Sequence, residues 1–177
     1  MGKSYSEILA EETGFSDHGP VKMEALICRN DVRDMCRDGK CKRYGRSWSC
    51  PPACGTIEEN SARLKEYSRG IILETVGQLE DEFDIEGMKA AEELHKKHFY
   101  EYVTQFRAIF PGCLPLGAGS CSVCAECTYP QSPCRFPERQ FTSMEAYGLW
   151  VSDVCERSGI KYNHGKNTIT YVSCVLF

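Results

Sequence analysis

Apolar and polar positions follow two different periods along this chain, and the periods mark out its elements. Residues 5–13, YSEILAEET, read as a short helix, and VKMEALI, 21–27, reads as a strand. From Cys28 to Gly55 no period is sustained; cysteines, basic residues and prolines make a loop organised by whatever its cysteines bind. Thr56 with Glu59 three residues on is a capping box that opens a helix over TIEENSARLKEYS. That helix leads into GIILETV, 70–76, a buried strand. The segment from Ile85 to Phe110 predicts a long helix, with Met88, Ala91, Leu94, Phe99, Tyr102, Phe106 and Ile109 on one apolar face. Pro111 and Gly112 end it, and CLPLGAG predicts a short strand. A second capping-box pattern, Thr142 to Glu145, predicts a helix running to about Ser158, with Met144, Tyr147, Gly148, Val151 and Cys155 inside. The β-branched, aromatic NTITYVSCVLF predicts a final strand.

Strands alternating with helices imply an α/β protein, a single mixed sheet with flanking helices. Two cysteine-rich loops, about 28–55 and 113–137, interrupt it. At 177 residues and 42% hydrophobic, one domain spanning 1–177 can bury a core. No window approaches eighteen apolar residues, so no membrane span is expected. The opening MGKSYSEILAEETGF lacks the layout of a secretory signal. Gly2 and Ser6 loosely fit a myristoylation pattern, but a polar helix cap is the simpler reading. The expectation is a cytoplasmic protein.

Twelve cysteines change the picture. Cytosolic thiols stay reduced, so clustered cysteines without an export signal point to metal. The net charge of −4 argues against a general nucleic-acid coat. Charge is uneven, however: from Arg29 to Arg46 seven basic residues stand against Asp31, Asp34 and Asp38. That run either offsets a negative metal site or meets an anionic partner.

In the second loop the cysteines are spaced C121-x2-C124-x2-C127-x6-C134. Three cysteines at successive three-residue steps suit the corners of an iron–sulfur cube, as in bacterial ferredoxins. Four-cysteine zinc sites instead pair two C-x2-C knuckles across a longer loop. The last spacing exceeds the ferredoxin one, so the match is partial and zinc stays the alternative. The glycines of GAGSC would let backbone N–H groups approach the cluster sulfurs. The first loop carries Cys36, Cys41, Cys50 and Cys54, with Cys28 just upstream, in a spacing that suits zinc and iron–sulfur about equally. Pro51 and Pro52 stiffen the backbone beside Cys50.

CKRYGRSWSCPPACGTIEE together with GAGSCSVCAECTYPQSPCRFPERQFTSMEAYGLWV resembles a family of predicted cysteine-rich metal-binding proteins, domain-of-unknown-function family 2284, from about residue 25 to the C-terminus. Members occur mostly in anaerobic bacteria and archaea. The resemblance implies a metal-binding, iron–sulfur, cytoplasmic protein, and it implies no reaction. Its regular cysteines match Cys41, Cys50, Cys121, Cys124, Cys127 and Cys134.

Cys155 and Cys174 read as small core residues, whereas Cys28 and Cys113 stay open as ligands. Glu92, His95 and His98 have ligand spacing on the long helix, but a carboxylate di-iron site needs several such helices, so they read as surface residues. His18 and His164 lie in loops with no visible partner. No phosphate loop, dinucleotide fingerprint or nucleophile elbow is present.

The expectation is two [4Fe-4S] clusters in an electron-transfer protein serving a redox partner protein, each quartet complete in itself and the two close enough to exchange electrons. A domain of this length has a radius of gyration of roughly 16 Å. The alternatives are a catalytic cluster with an open iron acting on a small molecule, and a zinc-stapled interaction module.

Overall fold

A computed structural model describes residues 2–177, with the side chains of Gly39 and Lys40 left aside. Five helices flank one mixed five-stranded sheet. In chain order the elements are α1 (Tyr5–Thr13), β1 (Asp17–Pro20), α2 (Asn30–Met35), α3 (Ile57–Leu64), β2 (Gly70–Gln78), α4 (Ile85–Ile109), β3 (Leu114–Gly117), β4 (Thr142–Ser143), α5 (Val151–Ser158) and β5 (Thr168–Leu176). The strand order is β1-β2-β5-β3-β4, antiparallel except for the β3–β4 pair. Among the described residues no helix is long and apolar enough to cross a membrane.

The alternation of β2 and β5 divides the core into two layers. Ile72 opposite Cys174 faces one side, where Leu116, Met144, Leu149, Val154 and Cys155 are buried. Ile71 opposite Val175 faces the other, against Leu9, Phe99, Tyr102 and Phe106 of α1 and α4. Both α1 and α3 begin with complete capping boxes, Ser4 with Glu7 and Thr56 with Glu59.

Three expected elements differ. The strand at 21–27 is instead a 3-10 turn, Met23–Ala25. Val21, Ala25 and Leu26 are its buried residues, a spacing that does not alternate, and β1 forms just before it. The helix expected from Thr142 begins only at Val151. Thr142 pairs with Leu116 in the sheet, and Gly148, at φ +88, turns the chain before the helix starts. Inside the first cysteine loop lies the helix α2, followed by a π-helical turn, Cys36–Lys40. The inner face of α4 also shifts: His95 and Val103 are buried, while Leu94 and Ile109 are exposed.

Candidate metal centres

The second loop leaves the sheet at Gly117 and returns at Thr142, and the parallel pairing of Leu116 with Thr142 and Gly117 with Ser143 closes its base. Helix α4 supports it from below. Tyr100 donates its hydroxyl to the Arg139 carbonyl (2.6 Å), and Arg107 donates to that of Glu138 (2.5 Å). Phe141 packs on both Phe99 and Tyr100. Burial pushes the Tyr100 hydroxyl up to about 12, and the nearby Cys121, Cys124 and Cys134 add to the rise.

Cys121, Cys124, Cys127 and Cys134 line one small hollow. Burial raises the Cys121 thiol, partly offset by the Val123 N–H, and its three partner cysteines raise it further. Cys127 behaves oppositely. Burial opposes its ionisation, but the N–H groups of Tyr129, Trp48 and Thr128 and the Ser47 hydroxyl together bring its thiol below the ordinary range. Two of those groups belong to the first loop.

Cys36, Cys41, Cys50 and Cys54 also form a neighbourhood. The Cys36 thiol is raised by burial first, then by Cys41 and Cys50, with Glu145 adding to it and Arg33 opposing. Burial lifts Cys54 to about 11; Arg33 opposes that rise, while Cys50 and Cys36 add to it. Cys54 reaches the Ala146 carbonyl at 3.6 Å, so the 144–148 turn backs this quartet. Of the basic run, Arg29 pairs with Asp31 (2.5 Å), Arg37 with Asp34 (3.1 Å), and Arg33 donates to the Gly55 carbonyl (2.6 Å). Much of the run therefore braces its own loop.

The loops abut. Trp48 donates its indole N–H to the Ser132 carbonyl and meets the Tyr129 ring edge-on at 5.0 Å. Ser49 accepts the Cys121 N–H at 3.3 Å. The sequence reading missed these contacts, together with Tyr100, because a serine or tryptophan in an aperiodic loop carries no signal before its partner is known.

Other expectations resolve plainly. Cys155 and Cys174 are both fully buried core residues. Burial pushes the Cys155 thiol up to about 12, with Glu74 adding to it. Cys28 packs against the α5 side of the core, and Cys113 is buried on the α4 side beside Arg107. His95 is a buried residue rather than a surface one, bonded through Nδ1 to Thr75 (2.9 Å) and through Nε2 to Ser173 (2.7 Å). His18 and His164 do have partners, Glu11 at 3.4 Å and the buried Glu74 at 3.3 Å.

All twelve cysteines are free thiols. Among the described residues no three His, Cys, Asp or Glu side chains converge to the spacing of a single bound ion. A family model matches residues 19–177. The chain belongs to DUF2284, the predicted metal-binding proteins. No curated protein and no solved structure matches it significantly. Membership in DUF2284 makes metal binding the family expectation and leaves metal type and role open. Two cysteine quartets in abutting loops supply a donor set suited to that expectation.

Proposed function

We propose that this protein holds two iron–sulfur clusters of the [4Fe-4S] type and passes single electrons to a redox partner protein. The observation that carries the reading is the second quartet: thiols in a C-x2-C-x2-C-x6-C run turned toward one hollow. Soft thiolates and that stepwise spacing suit an iron–sulfur cube. Cys121, Cys124, Cys127 and Cys134 would hold one cluster, and Cys36, Cys41, Cys50 and Cys54 the other. A bound cluster supplies one-electron redox chemistry.

The chain's own groups do the rest. The N–H groups around Cys127 stabilise negative charge on its sulfur. Arg33 does the same for Cys36 and Cys54. Tyr100, Phe141 and Trp48 wall the second loop. The hollow measures about 20 Å³, roughly room for one water, so seating a cube requires the loop to widen. Between Gly117 and Pro137 it has neither helix nor strand to resist that.

The small hollow of the second quartet suits a smaller guest and supports a second reading, a zinc-stapled interaction module, once its thiols draw closer together. Anaerobic purification from iron-replete cells separates the two. Brown protein with iron and acid-labile sulfide that bleaches with dithionite supports clusters. Colourless protein with stoichiometric zinc supports the staple.

A further inference from the structure

Ser47 and Ser49 are only 3% and 1% exposed, although each carries a hydroxyl in an aperiodic loop. Their oxygens lie 3.0 Å apart, and Ser47 accepts the Ser49 N–H at 3.3 Å. Ser49 stands 3.8 Å from the Cys50 sulfur, within the first quartet, and accepts the Cys121 N–H at 3.3 Å, within the second. Ser47 lines the hollow of the second quartet and lies within reach of both Cys127 and Cys50. A hydroxyl has one proton to donate and two lone pairs. Two protons are therefore too few for two sulfurs and the Ser47–Ser49 bond at once, so a turn of either hydroxyl alters the charge felt on both sides. Buried polar chains of this kind polarise along their length.

We infer that Ser47 and Ser49 are a shared positioning pair that links the two metal centres and tunes them together, so that neither quartet is electronically independent of the other. The inference rests on the proposed reading that both quartets hold metal. Hydrogen bonds to cluster sulfurs help set reduction potentials, and losing a donor leaves the more negative, reduced centre less stabilised. Removing the Ser47 hydroxyl should thus lower both potentials, while removing Ser49 should lower the first and shift the second through the released Cys121 N–H and the freed Ser47 proton.

The test compares Ser47→Ala and Ser49→Ala with Ser132→Ala, whose exposed side chain is not needed for its carbonyl bond to Trp48. The anaerobically purified proteins are assayed for iron and sulfide, then titrated potentiometrically with electron paramagnetic resonance. In each of the first two variants both centres should shift by roughly tenfold in their reduction equilibria, about 59 mV per electron, while Ser132→Ala matches wild type. Ser49→Thr, which keeps the hydroxyl, should restore the potentials. Shifts confined to the first centre in both alanine variants would overturn the link. If Ser49→Ala loses metal, loss from both quartets supports the link and loss from the first alone counts against it. Wild-type protein carrying zinc would reject the cluster proposal, and the link is then read by release to a chelator. Two ions leaving about tenfold faster in Ser49→Ala support it, and one ion counts against it.

Discussion

Trp48 donates its indole N–H to the Ser132 carbonyl across 3.0 Å, and that bond fastens the first cysteine loop to the second. The ring adds an edge-on contact with Tyr129. Net hydrogen bonds and aromatic pairs each contribute about 0.5–1.5 kcal/mol. Trp48→Ala should cost about 1–3 kcal/mol in denaturant unfolding and speed metal release from the second quartet. Trp48→Phe, which keeps a ring, should lose less. Wild-type stability in both variants would show that the loops do not rely on this residue.

Serine in place of Cys127 should remove close to one centre's metal, counted per chain by elemental analysis. Serine in place of Cys155, which is sealed in the core, should leave the metal count unchanged. Iron or zinc lost from the Cys155 variant alone would make Cys155 a ligand rather than a core residue of α5.

Gly148 stands at φ +88, and a Cβ there would lie 2.9 Å from the Arg29 carbonyl and 2.5 Å from Ile57. Its own carbonyl accepts the Arg29 N–H at 2.8 Å. Left-handed backbone and overpacking together predict that Gly148→Ala costs about 2–4 kcal/mol. Metal should be lost first from the quartet that this turn backs, read as a lower metal count before any change in helix content.

His95 carries an acid sensitivity that can be measured. Burial first, with His98 and Lys96 adding, brings its pKa down to about 3. The unfolded chain takes up the proton near pH 6.5, so this neutral imidazole's contribution is complete above that pH and is lost as pH falls toward 3. At 1.36 kcal/mol per unit, the loss by pH 5 is ~2 kcal/mol. His95→Asn should flatten that slope between pH 7 and 5 in urea unfolding. Parallel slopes for the two proteins would exclude the assignment.

Much of the scaffold was legible because its signals are long or local. The apolar runs of β2 and β5, the length of α4 and the cap at Thr56 all emerge as expected elements. Strand β1 did not, because Asp-His-Gly-Pro has no strand-forming pattern. It pairs because β2 offers an edge and because Gly19 lets Ile160 approach where a Cβ would collide at 2.5 Å. The Thr142 capping pattern misled for a tertiary reason: β3 recruits Thr142 into the sheet. At the candidate site the eight candidate cysteines are visible in the sequence as two clusters, the second with the more diagnostic spacing. Ser47, Trp48 and Ser49 could not, since their roles depend on residues about seventy to eighty positions away.

The place of β5 in the sheet bears on how the protein is made. Strands β2 and β3 do not pair with each other; they are joined only through β5, which follows both cysteine loops in chain order. During synthesis the two loops thus emerge before the strand that joins their supports, and eight candidate ligand thiols wait on an unfinished sheet. Long-range pairing of this kind closes late. Metal delivered during translation would meet mobile thiols free to form wrong combinations, so orderly loading belongs after β5 has docked.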